Sequence, residues 1–239
     1  MPGDNARQGG NARPGGHAKV SIDFSQPAIV RRLAANNWPS EYVVRAVRGR
    51  RGPRWRQPLQ VLDATAGLGT DSILLAASGC EVLLAEQVPL LARLLEHALA
   101  SASAGVEPTV AAAAQRCRVL AGDSLACMRN WQGSAPGVVY LDPMYAASAA
   151  SGSSGLKTSA AVNKNMRLLQ LLSEIYQANY LGELGEPQAT SAVELLAAAR
   201  QLATVCVVVK RPPAAPPLAA SKPSSSLSGK AARFDIYAC

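Results

Sequence analysis

The sequence predicts an α/β fold built on a mostly parallel β-sheet, with one antiparallel strand near the C-terminus. From residue 59 onward, short β-branched or Leu-rich runs alternate with longer Ala- and Leu-rich segments, which is typical of parallel strands joined by helices. Gly67 and Gly69 follow the first run, where a tight turn would lead from a strand into a helix. Residues 211–232, before the final run, are rich in Pro and Ser and lack a helical pattern. Because a parallel crossover usually needs a helix, we expect the last strand to be antiparallel to its predecessor.

Six strands and four helices follow from these patterns. The predicted strands span residues 60–63, 81–86, 118–121, 138–142, 205–210 and 233–238. The predicted helices run from near Asp71 to Gly79, from Pro89 onward, over about residues 160–180, and from near Ser191 onward. Gly79 is a suitable helix stop and Pro89 a suitable first helical residue. Ser191 and Glu194 have the spacing of a capping box at the start of the last helix.

The composition excludes several classes of protein. A chain of 239 residues is long enough for one sizeable domain, and 49% hydrophobic residues exclude disorder throughout. No apolar run reaches the roughly 18–20 residues that span a bilayer, so we expect no membrane partner. The five cysteines are scattered and include no Cys-x-x-Cys pair, which argues against a zinc site or a disulfide framework. We therefore expect no metal and a reducing, cytoplasmic location, although the Arg-containing N-terminus also permits an organelle-targeting segment.

The net charge of +8 is concentrated in the N-terminal quarter of the chain. Residues 1–56 hold 11 of the 24 Lys and Arg residues but only three of the 16 acidic ones, so the remainder is neutral. This asymmetry favours a polyanionic partner, although a basic tail that only keeps the protein soluble is an alternative. We predict a disordered tail at 1–19, a basic lobe or linker at 20–56 and the α/β domain at 57–239. Residues 146–159 and 212–229 are low in complexity, so we expect mobile connections there.

The glycine loop and the acids around it indicate what the domain binds. A dinucleotide site would have a third glycine where this chain has Ser72, and Asp63 before the turn would repel a pyrophosphate. The same carboxylate can hold the amino group of a cationic ligand. Glu86 ends the next predicted strand, where an acid can accept both ribose hydroxyls. Asp123 and Ser124 follow the third strand and could meet the adenine, so the pattern favours S-adenosylmethionine over a generic nucleotide.

Asp142, Pro143, Met144 and Tyr145 follow the fourth predicted strand and suggest the chemistry. An amino nitrogen conjugated to a purine is a poor nucleophile because its lone pair is delocalised into the ring. A carboxylate from Asp142 and the rigid carbonyl of Pro143 could accept its hydrogens and orient it for methylation. An aromatic ring such as that of Tyr145 could stack on the flipped base. The alternative is an ordinary strand ending in a turn, with Tyr145 packed in the core.

Five blocks of sequence, taken in order, resemble the ribosomal small-subunit methyltransferase J family. The blocks begin at Asp63 (Asp-Ala-Thr-Ala-Gly-Leu-Gly-x-Asp), Tyr140 (Tyr-Leu-Asp-Pro-Met-Tyr), Lys164 (Lys-x-Met-Arg), Val207 (Val-Val-Val-Lys-Arg-Pro) and Arg233 (Arg-Phe-Asp-Ile-Tyr). The resemblance covers about residues 20–239 and implies a Rossmann-like class I methyltransferase fold. It also implies methyl transfer from S-adenosylmethionine to N2 of a guanine in small-subunit rRNA, either as free RNA or in a ribosomal subunit.

The predicted site residues fall into three groups. The catalytic group contains Asp142, Pro143 and Tyr145. The cofactor group contains Asp63, Ala64, Thr65, Gly67, Gly69, Thr70, Asp71, Glu86, Gln87, Asp123, Ser124 and Asp142. The RNA-binding group contains Arg31, Arg32, Arg48, Arg50, Arg51, Arg54, Lys164, Arg167, Lys210 and Arg211, which could instead be solvated surface charges.

Two alternatives to rRNA methylation remain open at this stage. Thr70 and Gln87 stand where the family typically has basic residues, so the chain could be an RNA-binding or assembly module with a degenerate cofactor pocket. It could also methylate a protein or a small molecule, since the cofactor fold serves many substrates.

Overall fold

A computed structural model describes residues 21–34, 37, 40–49, 58–143, 172 and 191–239. The helices in these ranges are α1 (Pro27–Leu33), α2 (Tyr42–Arg48), α3 (Thr70–Ala77), α4 (Pro89–Ser103), α5 (Pro108–Ala114), α6 (Ser124–Arg129) and α7 (Ala192–Leu202). The strands are β1 (Gln60–Asp63), β2 (Glu81–Glu86), β3 (Cys117–Ala121), β4 (Val138–Leu141), β5 (Cys206–Arg211), β6 (Ser225–Ser228) and β7 (Arg233–Ala238). A short 3-10 turn lies at Leu218–Ala220.

The seven strands form one sheet in the order β3-β2-β1-β4-β5-β7-β6. The first five positions in this order pair in parallel, whereas β7 pairs antiparallel with both β5 and β6. Only β7 therefore runs against the other strands, which confirms the mostly parallel sheet and the antiparallel last strand. The carboxyl ends of β1 to β5 consequently meet at one edge of the sheet, where ligands bind in open α/β folds.

The structure corrects the sequence prediction for the segment between β5 and β7. Residues 212–229 were expected to be a mobile connection, but Ser225–Ser228 forms the edge strand β6. Leu227 is the only apolar residue of this strand, so its sequence carries little strand pattern. It pairs with Phe234 across the antiparallel ladder, and backbone hydrogen bonds rather than side-chain burial define the strand.

The predicted helix boundaries hold for the elements that the structure describes. Helix α3 begins at Thr70, directly after Gly69 with φ of 70°, and ends before Gly79 with φ of 93°. Helix α4 begins at Pro89 as predicted. Ser191 caps α7 by accepting from Val193 N at 3.2 Å, but the expected capping box is not completed. The carboxylate of Glu194 contacts Arg129 at 3.1 Å instead. The connection at 146–159 and, apart from Leu172, the helix at 160–180 lie outside the described residues.

Helices cover both faces of the sheet and form two hydrophobic layers. On one face, α1 to α5 bury side chains such as Leu33, Val44 and Ile73 against the sheet. On the other face, α6 buries Leu125, and α7 buries Leu196 and Ala199. Helices α1 and α2 therefore share the core of the α/β layers, while the proposed division of the chain at residues 20 and 57 stays a prediction. No helix within the described ranges is long and apolar enough to cross a membrane.

Candidate active site

The carboxyl end of β1 leads into the glycine loop through a buried acid. Asp63 is 2% exposed, and its Oδ1 accepts from the backbone N of Thr65 at 3.1 Å. Its Oδ2 accepts a hydrogen bond from the hydroxyl of Ser72 on α3. Burial, together with the nearby carboxylates of Asp71 and Asp142, raises the pKa of Asp63 to about 7, while the bonds from Ser72 and Thr65 act in the opposite direction. The loop is thus anchored to β1 and α3 through neutral hydrogen-bond donors.

The glycine loop is also tied to the end of β2. Glu86 is buried, its Oε2 accepts from Gly67 N at 2.9 Å, and its Oε1 accepts from Val88 N at 2.8 Å. Burial raises the pKa of Glu86, while these backbone donors act in the opposite direction. Gly69 has φ of 70°, and a Cβ there would lie 2.8 Å from Leu95 Cδ2. Only glycine therefore fits where α4 packs against the start of α3.

The residues that follow β3, the strand beyond β2, also reach the glycine loop. Asp123 caps α6 by accepting from Ala126 N at 2.7 Å. The hydroxyl of the next residue, Ser124, donates to the carbonyl of Ala64 in the glycine loop. The sequence-predicted residues at the ends of β1, β2 and β3 are therefore adjacent along one edge.

These residues fit S-adenosylmethionine, a cationic nucleoside, better than a dinucleotide. Within the described ranges, neither Asp63 nor Glu86 forms an ion pair, so both carboxylates retain the capacity to accept from a ligand. A pyrophosphate placed on the loop would face the charge of these acids. Hydroxyls of a ribose and the amino group of a methionine moiety would instead find acceptors. Thr70 begins α3 and Gln87 follows Glu86, so both lie at this edge as predicted.

The residues that we predicted to be catalytic follow β4, in the middle of this edge of the sheet. The backbone N of Asp142 donates to the Thr65 hydroxyl at 2.6 Å, which joins the end of β4 to the glycine loop. Pro143 is buried and limits the backbone of Asp142 to an extended conformation. Tyr145, predicted to stack on the base, lies outside the described residues.

A lysine joins two of the acids at this edge. Nζ of Lys210 on β5 lies 2.7 Å from Asp71 Oδ2 and 2.9 Å from Asp142 Oδ2. The hydroxyl of Tyr140 on β4 donates to the same Asp71 oxygen at 2.7 Å. Burial opposes the charge of Asp71, but Lys210 and Tyr140 hold its pKa below the usual range. Burial raises the pKa of Asp142, and Lys210 limits that rise.

The structure requires two corrections among the predicted RNA-binding residues. Lys210 was expected to hold phosphates, but its ammonium lies between two carboxylates. Arg48 was expected to join the RNA-binding cluster, but its Nε and Nη1 are buried. Its Nη1 would lie 3.3 Å from a Cβ at Gly79, just before β2 begins. Arg48 therefore packs at the amino edge of the sheet, opposite the candidate site.

The other predicted RNA-binding residues have varied surroundings. Arg31 is exposed on α1, and Arg32 pairs with Glu41 through contacts of 2.8 and 2.9 Å. The charge of Arg32 also contributes to the lowered pKa of Asp71. Nε of Arg211 donates to the Pro216 carbonyl at 3.2 Å. Five further predicted residues lie outside the described ranges: Arg50, Arg51, Arg54, Lys164 and Arg167.

Sequence reasoning missed three features that shape the site. Ser72 was noted only in place of a third glycine and Tyr140 only as the start of a family block, and neither was assigned to the site, because one lies within a helix and the other within an apolar strand. The salt bridge of Arg233 to Asp235, with contacts of 2.8 Å, was also missed. Arg233 additionally donates to the Pro213 carbonyl at 2.8 Å and so fixes the segment that follows β5. The signal available in the sequence was an arginine two residues before an acid on one predicted strand, where the two side chains can form a buried pair.

Comparisons with known proteins agree with this geometry. A family model described as "Putative SAM-dependent methyltransferase", where SAM is S-adenosylmethionine, matches residues 10–239. The chain is 43% identical over 218 residues to the ribosomal RNA small subunit methyltransferase J of Pseudomonas aeruginosa, covering 91% of this chain and 73% of that protein. The protein of the same name from Stutzerimonas stutzeri is 40% identical over 218 residues, with coverages of 91% and 74%.

A solved structure shows the same fold. The crystal structure of a SAM-dependent methyltransferase from Neisseria gonorrhoeae matches with a TM-score of 0.64 and 30% identity, covering 94% of this chain and 76% of that one. The match agrees with the Rossmann-like sheet and its single antiparallel strand. Together with the edge of acids around a glycine loop, these similarities show that the chain belongs to the ribosomal RNA small subunit methyltransferase J family and is a SAM-dependent methyltransferase.

Proposed function

We propose that this protein transfers a methyl group from S-adenosylmethionine to the exocyclic amino nitrogen N2 of a guanine in small-subunit rRNA. The observation that carries the proposal is the position of Asp142, whose backbone N binds the glycine-loop residue Thr65 at 2.6 Å. A carboxylate so close to the cofactor loop can hold an amino group next to a bound methyl donor. The names of the relatives support small-subunit rRNA as the substrate class.

The residues around the cofactor have separate tasks in this proposal. Glu86 accepts the ribose hydroxyls, because its carboxylate ends β2 and is already fixed by Gly67 and Val88. Asp63 and the loop backbone around it favour the amino group of the methionine moiety. Asp123 and Ser124 border the adenine. When bound, S-adenosylmethionine supplies an electrophilic methyl group on a positively charged sulfur.

Asp142 and Pro143 act on the substrate nitrogen. The carboxylate and the Pro143 carbonyl accept the two N–H groups and orient the nitrogen toward the methyl carbon. Bound S-adenosylmethionine would supply the methyl group to the nitrogen lone pair and would keep the electrons of its methyl–sulfur bond, and the Asp142 carboxylate would accept the displaced N–H proton. Tyr145 stacks on the base in this proposal. The negative Asp142 stabilises the positive charge that develops on nitrogen.

The basic N-terminal region supplies the contacts to the RNA backbone. Arg31 is exposed on α1, and Arg32 lies near Asp71, so α1 borders the site. We place Arg50, Arg51, Arg54, Lys164 and Arg167 with Arg31 as phosphate contacts, and we leave out Arg48 because it packs at the opposite edge of the sheet. Such a substrate places the protein in the cytoplasm with the ribosomes.

Mass spectrometry of rRNA nucleosides tests the proposal. Small-subunit rRNA from cells lacking the gene should lose one N2-methylguanine, and the wild-type protein should restore it. Asp142→Ala should lower the transfer rate by about a hundredfold or more, because the acceptor for the amino group is gone. Asp23→Ala is a matched control, since that exposed carboxylate only binds Ser25.

Two outcomes would overturn the proposal. Unchanged N2-methylguanine in cells lacking the gene would exclude this substrate. Wild-type methylation by Asp142→Ala, with S-adenosylmethionine binding intact by calorimetry, would exclude the assigned role of Asp142.

A further inference from the structure

We propose that Lys210 is a positioning residue for methyl transfer, which holds the Asp142 carboxylate in place and keeps it negatively charged for the substrate amino group. This inference rests on the function proposed above, because it assumes that Asp142 is the acceptor for that amino group. It assigns to Lys210 an action on another protein residue rather than the phosphate contact that the sequence suggested.

The position of Lys210 is fixed by the sheet. Lys210 lies on β5 and pairs in register with Phe234 of β7, while β4 lies on the other side of β5. Its side chain is 29% exposed, and the side chains of Asp71 and Asp142 are 17% and 16% exposed. The three charged groups thus meet in a largely buried place where their interactions are screened weakly.

Asp71 holds the ammonium group of Lys210 in place. The same Asp71 oxygen accepts from the Tyr140 hydroxyl and from Lys210 Nζ, each at 2.7 Å. Tyr140 is 1% exposed on the central strand β4, so its hydroxyl has little freedom to move. Asp71 is therefore held by a rigid strand residue, and through it the ammonium group has a defined position.

The ammonium group then orients Asp142. Lys210 Nζ lies 2.9 Å from Oδ2 of Asp142, and the backbone N of Asp142 donates to the Thr65 hydroxyl. The carboxylate is thus held at Oδ2 by the lysine, and in this proposal the other oxygen accepts from the substrate nitrogen.

The charges around Asp142 explain why a nearby cation is needed to keep its carboxylate ionised. Burial and the neighbouring charge of Asp71 raise its pKa, whereas Lys210 lowers it. The titratable and charged groups that face it are Lys210 and Arg211 on β5, Asp71 on α3, Asp63 on β1 and Tyr140 on β4. Without Lys210, burial and the nearby acids would all favour the neutral carboxyl, which donates rather than accepts with its protonated oxygen.

Two substitutions with opposite expected effects test this role. The measurement is the single-turnover rate of methyl transfer against pH, with small ribosomal subunits from cells lacking the gene and saturating S-adenosylmethionine. Lys210→Met should move the acidic limb of the profile upward by about one pH unit or more, because the cation that lowers the pKa of Asp142 is lost. Asp71→Asn should move it downward by about one unit, because a negative neighbour is lost and Lys210 remains.

Three controls separate charge from structure. Lys210→Arg keeps the positive charge and should keep the acidic limb near its wild-type pH. Lys230→Met removes an exposed lysine and should leave the profile unchanged. Thermal melting and S-adenosylmethionine calorimetry check folding and the cofactor site of each variant.

A readout that does not depend on activity is also available. Protein labelled with ¹³C at the Asp carboxyl carbons gives a titration curve for Asp142, assigned by the loss of its signal in Asp142→Asn. The Asp142 midpoint should rise in Lys210→Met and fall in Asp71→Asn. If Lys210→Met does not fold, the direction of the shift in Asp71→Asn decides the question.

The outcomes distinguish failure of this inference from failure of the proposed function. Equal rate losses at every pH, or an unshifted Asp142 titration in both variants, would overturn the inference while Asp142→Ala remained inactive. Full activity of Asp142→Ala would instead overturn the proposed role of Asp142, on which this inference rests.

Discussion

The carboxyl edge of the sheet holds its acids in two different ways. In the cofactor half, which we define as Asp63 and Glu86, the carboxylates bind backbone N–H groups and a serine hydroxyl. In the transfer half, defined as Asp71, Asp142 and Lys210, two carboxylates share one ammonium group. Both halves are largely buried, so the difference lies in the partners rather than in the exposure.

This difference indicates whether the carboxylates of each half need a bound ligand to be fully ionised. Neutral donors offset only part of the burial penalty, so the pKa values of Asp63 and Glu86 are raised. A cationic ligand would bring a positive charge to the carboxylates of the cofactor half. The transfer half has its cation built in: Lys210 helps to lower the pKa of Asp71 and limits the rise in the pKa of Asp142. In the proposed reaction, the lysine would thus favour the charged form of the Asp142 acceptor before the substrate amino group arrives, which avoids reorganisation during the reaction.

The largest expected effect on stability comes from removing the built-in cation. Lys210→Met leaves Asp71 and Asp142 largely buried without their shared partner, so unfolding free energy should fall by about 3–5 kcal/mol at neutral pH. Urea unfolding measures this loss, with Lys230→Met as the exposed control. The loss should shrink as pH falls and the two carboxylates become protonated. A loss below about 1 kcal/mol, as for a surface pair, would remove the contrast between the two halves.

A smaller effect, with a defined pH dependence, is expected in the cofactor half. The pKa of Asp63 is about 7 in the folded protein against an ordinary value of 3.8. The folded state therefore binds more protons at Asp63 between these values, and the contribution of Asp63 to stability should fall as pH rises from about 4 to 7. The steepest slope for one such group is about 1.4 kcal/mol per pH unit.

Asp63→Asn isolates this contribution. The amide cannot ionise and can still bond to Thr65 N and to the Ser72 hydroxyl, so the variant should gain stability relative to wild type as pH rises. Urea unfolding should show that the unfolding free energy of Asp63→Asn, relative to that of wild type, increases by about 3 kcal/mol between pH 4 and pH 7.5. Saturating S-adenosylmethionine should reduce that growth, since it brings a cation to the site. A constant difference would mean that the pKa of Asp63 is not raised in the folded protein.

The sequence predicts the cofactor half well because its signals are local. Asp63 and Glu86 end strands whose β-branched and Leu-rich patterns are visible within four to six residues. Gly69 marks the start of α3 because only glycine adopts its φ without strain and leaves room for Leu95. The predicted strand boundaries at both acids agree with the structure.

The transfer half depends on contacts between residues far apart in the sequence. Lys210 and Asp71 are 139 positions apart, and Tyr140 and Asp71 are 69 apart. Their meeting depends on the strand order that brings β5 next to β4, and on the start of α3 lying within reach of both strands, which local periodicity does not encode. A lysine at a strand end therefore suggested a phosphate contact, whereas the fold places it between two acids. Strand β6 was missed for the same reason, since only its pairing with β7 defines it.

The smallest expected effect concerns affinity rather than stability, and it tests whether the two halves act separately. Glu86→Gln keeps the shape of the side chain and one acceptor oxygen but loses the charge toward the ribose. Calorimetry should show S-adenosylmethionine binding weakened by about tenfold, which corresponds to about 1.4 kcal/mol. The transfer rate at saturating cofactor should stay near wild type, because the transfer half is untouched. Glu194→Gln, on an exposed part of α7, is the matched control and should change neither quantity. A lowered saturated rate with unchanged affinity would instead mean that Glu86 also shapes the transfer half, through the glycine loop that links Gly67 to Thr65 and Asp142.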